Sequence, residues 1–397
     1  MPDAILILNA GSSSMKFGLY EIRGPDEPGL LSRGMIAEID GTPHFTAKNV
    51  AGTMLVDEHW QERGKDIVTH LIGWVEKHLA GEALVAAGHR IVHGGRDFIE
   101  PVRLTTNVVQ ALDALTPLAP LHQPGSLAPI RALAALRPNL TQIGCFDTAF
   151  HHDLKPPVSR FALPRKYEMS GIRRYGFHGL SYEFIAHRLR KISKDLAARR
   201  TVVAHLGNGC SLCAMRDGKS VDTTMGFTAL DGLMMGTRCG AIDPGILLYL
   251  QQTHAMSVNE IEHLLYNESG LLGVSGLSSD MRTLLARKDP HAAEAVELFV
   301  FRLAREICAM ANTLGGIECL VFTGGIGEHA QEVRAMTCDR LGWLGVELDT
   351  QANEAGNDCI NAKASRVDIR IIPTDEEMTI ARHVLTMIER EPNDGQD

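Results

Sequence analysis

A chain of 397 residues, 45% of them hydrophobic, has length enough for two domains with buried cores. Its formal net charge of −9 excludes a general nucleic-acid binder, which needs a concentrated basic face, but leaves room for a local basic pocket around phosphates. No apolar run has the length of a membrane span, the short run over residues 4–8 lacks the flanks of a secretory signal, and eight scattered cysteines suit a reduced, cytosolic protein.

In chain order, residues 4–8 predict a buried strand, Gly11 to Ser14 a turn, and residues 15–22 a returning strand. Residues 61–79 carry Ile67, Val68, Leu71, Ile72, Val75 and Leu79, the spacing of a helix with one buried face. Residues 83–92 predict a strand running into His93-Gly94-Gly95. Prolines at 117, 120, 124, 129, 156, 157 and 164 mark irregular connections and a domain boundary near residue 150. A second hairpin follows: a strand over 201–206, the turn Gly207-Asn208-Gly209, and a return over 211–215. Leu8-Asn9-Ala10-Gly11-Ser12-Ser13 corresponds to Leu206-Gly207-Asn208-Gly209-Cys210-Ser211, which suggests an internal duplication and two similar lobes facing a cleft. Residues 292–314 form a long amphipathic helix stopped by Gly315-Gly316. A strand over 319–322 enters Thr323-Gly324-Gly325-Ile326-Gly327-Glu328, where another helix begins. Val367, Ile369 and Ile371 alternate as a strand, and Thr374-Asp375-Glu376-Glu377 has the form of a capping box opening a terminal helix, with a frayed polar tail from Glu389 onward.

Phosphoryl transfer asks for backbone N–H groups or helix ends to hold phosphates, fixed cations on the transferring group, and acids to hold a metal. Asn9-Ala10-Gly11-Ser12-Ser13-Ser14-Met15-Lys16 offers a small-residue turn with a nearby cation, though an ordinary hairpin explains its composition equally well. It is not a Walker A loop, and the Gly-rich turn at 323–328 is not a dinucleotide fingerprint. Arg90 near a strand end and Arg238 between glycines are each either ion-pair partners or anion clamps. Asp147 follows an apparent strand and could line a cleft or cap a turn. His122 and His178 taken singly are ordinary polar residues, and Glu376 alone is a first-turn acid. Cys210 and Cys213 have C-x-x-C spacing, but on a strand they point to opposite faces and cannot clamp one ion.

Taken together and in order, NAGSSSMKF, GHRIVHGG, LAPLHQP, FDTAFH, RRYGFHG, AHLGNGCS, MGTRCG, SGLSSDMR, FTGGIGE and PTDEE resemble the acetate kinase family, within the actin, sugar-kinase and Hsp70 superfamily. The resemblance implies an α/β fold of two lobes with duplicated actin-like (ribonuclease H-like) cores and an interlobe cleft. Residues 1–150 and the terminal helix 376–397 would form the lobe for acceptor and phosphate contacts, and residues 151–375 the nucleotide-binding lobe.

It further implies reversible transfer between ATP and acetate, in line and with Mg²⁺ (or Mn²⁺), giving acetyl phosphate and ADP in a cytoplasmic homodimer. By the same resemblance Asn9 and Glu376 hold the metal, and Asp147, His178 and Arg238 are catalytic. Lys16, Arg90, Val92, Leu121, His122 and Phe177 contact the acceptor. His205, Leu206, Gly207, Asn208, Gly209, Asp280, Met281, Arg282, Gly325, Ile326, Gly327, Glu328 and His329 contact the nucleotide.

Five positions depart from the family's common pattern. Thr228-Ala229-Leu230-Asp231-Gly232 stands where T-P-L-E-G is frequent, Ala241 replaces a frequent Asp, and Gln123 and His329 replace frequent Asn residues. The missing Pro at 229 would alter the acyl pocket, so a propionate kinase is the near alternative. An actin- or Hsp70-like ATPase without a small acceptor, and a metal or redox protein using Cys210, Cys213 and the 17 histidines, are the alternatives of other classes.

Overall fold

A computed structural model describes residues 3–11, 14–24, 27–39, 42–61, 65–79 and 83–389. Ser12 and Ser13 of the first turn, residues 62–64 before the first helix, and the tail beyond 389 lie outside them. The chain divides into two compact units, one of residues 1–150 and 375–397 and one of residues 151–374.

The first unit holds an eight-stranded sheet in the order β5-β4-β3-β2-β1-β6-β8-β7. Its strands are β1 (Asp3–Ala10), β2 (Ser14–Glu21), β3 (Gly29–Ile39), β4 (Thr42–Asn49), β5 (Met54–His59), β6 (Ala83–Ile91), β7 (Val102–Arg103) and β8 (Thr141–Phe146). The second unit holds five more: β9 (Thr201–Leu206), β10 (Cys210–Arg216), β11 (Lys219–Thr223), β12 (Cys319–Thr323) and β13 (Asp368–Ile371), ordered β11-β10-β9-β12-β13. Five neighbouring strands of the larger sheet, β3-β2-β1-β6-β8, repeat that pattern with the same directions. In each case two antiparallel pairings are followed by two parallel ones. The duplication read from two short turns is therefore a duplication of topology, as in the actin-like fold. The apolar pattern did not announce strands β3 to β5; β3 has its counterpart in β11, whereas β4 and β5 extend only the first sheet.

Strand β1 is buried on both faces, because an all-apolar run in a central strand must be covered twice. Leu6 and Leu8 join Phe17, Leu71, Val75 and Leu133 in a core shared with the helices Lys65–His78 and Gln123–Leu136. Phe17, Phe45 and Trp60 gather there, with Phe45 ring centroids 5.7 Å from Phe17 and 4.4 Å from Trp60. The terminal helix Glu376–Glu389 covers the other face through Ile380, Ala381, Val384 and Leu385. Gly88 in β6 admits that helix: a Cβ there would lie 2.6 Å from methyls of both Ile380 and Val384 and 2.9 Å from Ile7 Cδ1. Gly88→Val should therefore displace the helix and cost about 1–3 kcal/mol by overpacking, read as a lowered midpoint in urea. An unchanged midpoint would mean that the helix is not held by this contact.

The helix is capped one residue later than expected. Asp375 Oδ1 accepts from Met378 N at 2.9 Å, while Thr374 Oγ1 bonds Ser181 Oγ at 2.8 Å. The shift follows from the neighbourhood: Thr374 finds a serine hydroxyl, and Asp is as good a cap as Thr. In the second unit the helix Pro290–Leu314 ends at Gly315 in the left-handed conformation and packs on the sheet through Phe299, Val300, Leu303 and Ile307. Cys210 and Cys213 are buried in β10 as free thiols, each pushed up to about 12 by burial, the environment of an unreactive core cysteine.

Candidate functional site

In the first unit Asn9, Arg90 and Asp147 lie at the carboxyl ends of the parallel strands β1, β6 and β8, where open α/β sheets bind ligands. Asn9, at the end of β1, donates Nδ2 to Glu376 Oε2 at 3.0 Å and to Glu377 Oε1 at 2.8 Å. These acids open the terminal helix, whose N-terminal dipole favours them. Burial, with the Glu376 charge second, raises the Glu377 carboxyl above its usual range, against Lys16 and the Asn9 bond. Arg90 forks onto Asp147, with Nε 2.9 Å from Oδ1 and Nη2 2.5 Å from Oδ2. Burial works to discharge Arg90, but Asp147 and Glu376 outweigh it and raise its pKa. Its Nε also lies 4.0 Å from Glu376 Oε2. Lys16 pairs with Asn9 across the β1/β2 ladder and its side chain is exposed.

The loop after β6 is locked beside Asp147. Gly94 N donates to Thr148 Oγ1 at 3.0 Å, and a Cβ at Gly94 would meet Phe98 O at 2.2 Å. Gln123, one of the departures from the family pattern, accepts from His93 N and donates to His93 O and Leu112 O. Val92 is buried, Leu121 is exposed, and His122 sits half-buried at the start of the helix Gln123–Leu136.

In the second unit His178 precedes the helix Gly179–Ile192 with φ 58°, a left-handed conformation that costs a non-glycine residue about 1 kcal/mol or more. Its ring stacks on His205 at 4.3 Å, and its Nδ1 lies 2.9 Å from Ser211 Oγ. A Cβ on Gly209 would lie 3.1 Å from His178 Nε2 and 3.8 Å from Arg238 Nη1, so the glycine turn, the imidazole and the guanidinium meet at one point. Arg238 Nη1 is steadied by the Ala229 carbonyl at 3.0 Å. The residue that departs from the family's Pro thus uses its backbone here. Phe177 is buried, and its carbonyl accepts from His151 Nε2 at 3.0 Å.

The nucleotide-assigned residues fall into unequal groups. Asn208 Oδ1 would be 2.7 Å from a Cβ at Gly236, and Ser279 O 3.2 Å, so this glycine brings the 207–209 turn against the 279–282 segment. Asp280 caps the helix Met281–Leu285 by accepting from Thr283 N at 2.7 Å, a bond that holds its carboxyl below the usual range. Arg282 is 93% exposed, whereas the Met281 side chain is in the core. Leu206 and Gly327 are also buried, whereas Gly325 and His329 are exposed and Ile326 lies between. Glu328 Oε1 accepts from Gly324 N at 2.8 Å and from Thr374 N at 3.3 Å, tying the glycine-rich turn to the strand-to-helix junction. Ser181 links Thr374 to His205 Nδ1 at 2.9 Å. Glu377, Ser181, Tyr182, Ser211 and Thr374 escaped the sequence reading, since an isolated hydroxyl or second acid carries no pattern of its own.

Three other histidines are structural. Burial lowers His89, His93 and His151 to about 4, against about 6.5 in an unfolded chain. Their contribution is complete above pH 6.5 and drains away as pH falls toward 4, at about 1.4 kcal/mol per pH unit for each. Urea midpoints should therefore fall steeply between pH 7 and pH 5, and His89→Leu should shallow that slope by one proton. A slope identical to wild type would remove His89 from this account.

Comparison with known proteins agrees over nearly the whole chain. The Acetokinase family pattern matches residues 4–382. An acetate kinase of Rhodopseudomonas palustris (strain TIE-1) is 54% identical over 390 residues, 97% of this chain and 98% of that one. Among solved structures, a propionate kinase from Francisella tularensis subsp. tularensis SCHU S4 superposes with a TM-score of 0.89 at 37% identity, covering 96% of this chain and 98% of that one. The acetate kinase of Porphyromonas gingivalis gives 0.84 at 33% identity, covering 97% and 100%.

Proposed function

Because the chain belongs to the Acetokinase family, we propose that it transfers a phosphoryl group reversibly between ATP and acetate, giving acetyl phosphate and ADP. The observation that carries this reading is the meeting of His178 Nε2 and Arg238 Nη1 at Gly209. Two donors fixed around one point suit the equatorial oxygens of a phosphoryl group in flight.

An acetate oxygen attacks the γ-phosphorus in line, the bond to the β–γ bridging oxygen breaks, and ADP leaves with that electron pair. A carboxylate has no proton to lose before attack, so no strong general base is required. The chemistry instead asks that two anions be held together against repulsion. Arg90 and Lys16 supply positive charge for the acceptor side, Asp147 orients Arg90, and Val92, Leu121, His122 and Phe177 are assigned to the acyl group. The 205–209 turn, the 280–282 segment and the 325–329 segment hold the nucleotide. Residues 1–150 with the terminal helix would serve the acceptor and phosphates, and residues 151–375 the nucleotide.

Asn9, Glu376 and the neighbouring Glu377 fit Mg²⁺. They offer an amide and carboxylates as hard oxygen donors, and Glu377 carries crowded negative charge that a cation relieves. Among the described residues no cluster of three or more His, Cys, Asp and Glu could hold a metal by itself, which suits an ion completed by water and phosphate oxygens. When bound, Mg²⁺ neutralises charge on the phosphate oxygens, and Mn²⁺ is the expected substitute.

No described helix is long and apolar enough to cross a membrane, and we place the reaction in the cytoplasm. A homodimer is supported by the helix Pro244–Thr253, which buries none of its residues and leaves Ile246, Leu248 and Tyr249 about half exposed. Light scattering should give about twice the chain mass of 43.3 kDa; a monomeric mass at micromolar concentration would refute the dimer.

Ala229 favours one second reading, a preference for propionate, since loss of a Pro ring leaves more room. One methylene is worth only about 1–3 kcal/mol of discrimination. Trapping acyl phosphate as hydroxamate with Mg-ATP and acetate, propionate or butyrate tests both. The largest kcat/KM should fall on acetate, and ATP turnover indifferent to added carboxylate would reject a small-acid kinase altogether.

A further inference from the structure

We propose that the buried Tyr182–Ser211 hydroxyl pair sets the tautomer of His178, keeping its proton on Nε2 so that a neutral imidazole donates a hydrogen bond to the transferring phosphoryl group. The inference rests on the reading of His178 as a group that touches that phosphoryl, and adds the residues that prepare it.

Ser211 stands in β10 directly opposite His205 in the β9/β10 ladder, and Tyr182 lies one helical turn after His178. Both are fully buried. Ser211 Oγ sits between two partners, Tyr182 OH at 2.5 Å and His178 Nδ1 at 2.9 Å. It has two lone pairs and could accept from both, but that would leave its buried proton with no acceptor, so the proton goes to one of the two partners and the chain of bonds runs in one of two directions. Either Tyr182 donates to Ser211 and Ser211 to Nδ1, or Nδ1–H donates to Ser211 and Ser211 to Tyr182.

The chemistry of the hydroxyls chooses between them. A phenol is a much stronger acid than an aliphatic alcohol, hence the better donor and the poorer acceptor. Burial raises the Tyr182 phenol well above its usual range, so it keeps its proton throughout the working pH range. Tyr182 therefore donates to Ser211, and Ser211 donates to Nδ1. Nδ1 becomes the acceptor, and the ring proton stays on Nε2.

Nε2 is the atom that faces Gly209 beside Arg238. A neutral donor there is useful because Arg238 already supplies the positive charge, and an imidazolium alongside it would be repelled. The stack on His205, itself bonded to Ser181, keeps the ring from turning over. Tyr182 and Ser211 are positioning residues, acting on the reaction only through His178.

The test joins spectroscopy to kinetics on the full chain. With ¹⁵N-histidine labelling, and His178→Gln to assign the signal, His178 should show a protonated Nε2 and a bare Nδ1. Tyr182→Phe keeps the ring in place while removing the donor. It and Ser211→Ala should mix the tautomers and lower kcat by about 10- to 100-fold, the range found when the orienting partner of a functional histidine is lost. KM for ATP and acetate should stay within about twofold, an outcome that general unfolding would not give. A His178 protonated on Nδ1, or wild-type tautomer and kcat in both variants, overturns the proposal. If the Nε2–H tautomer is found but His178→Gln retains full kcat, the relay stands and the catalytic assignment of His178 falls.

Discussion

Arg238→Ala lowers kcat by about 10²-fold or more while the protein stays folded. The guanidinium is bonded to the Ala229 carbonyl and lies beside the point where His178 Nε2 approaches Gly209. Removing a fixed donor from the place where charge develops costs the transition state more than the ground state, so the loss appears in kcat rather than in KM. Arg238→Lys should recover only a part, since an ammonium keeps the charge but not the planar fork. The hydroxamate assay and a urea curve on the same preparations check both halves. Near-normal kcat in Arg238→Ala would remove this residue from the catalytic set.

Arg90→Ala should be the more disruptive change, and for two separable reasons. Its partner Asp147 has a side chain only 1% exposed, so losing the guanidinium strands a buried carboxylate. Breaking such a pair from one side costs about 3–5 kcal/mol. Activity should fall as well, because Arg90 is the cation proposed to meet the acceptor. The double change Arg90→Met with Asp147→Leu separates the effects. Replacing a buried ion pair by apolar groups of similar volume restores stability, whereas turnover should remain down by about 10²-fold or more. A double variant with recovered turnover would show that the pair serves only the fold.

The sequence was informative wherever a signal is local. Strand β1 and its return were legible because an apolar run meets a small-residue turn and pairs with its immediate successor, as Leu8 does with Phe17. The helix Pro290–Leu314 was legible because its buried positions keep helical spacing to the glycine stop. Collinear motifs named most of the candidate site residues, some at strand ends, as Asn9, Arg90 and Asp147, and others in loops before helices, as His178 and Asp280. Strands β3 to β5 were not legible. β5 is almost wholly exposed, and β4 buries alternate residues, of which Phe45 meets Trp60 and Trp74 at 4.4 and 5.3 Å, contacts that the local sequence does not announce. The inward direction of the Met281 side chain was likewise not legible, since its motif says nothing of which residues it packs against.

The order of residues by itself determined the family, the duplicated hairpins and the chemical types available: two arginines, two carboxylates, an amide and a histidine. Only the tertiary structure decided which of them meet. Arg90 and Asp147 are 57 positions apart, and Asn9 and Glu376 are 367 apart. Such pairs form because parallel strands align their carboxyl ends and because Gly88 lets the last helix lie on the first sheet. The state of His178 belongs to the same category, since a tautomer is set by the donor that folding places against it, and the linear chain carries no mark of that choice.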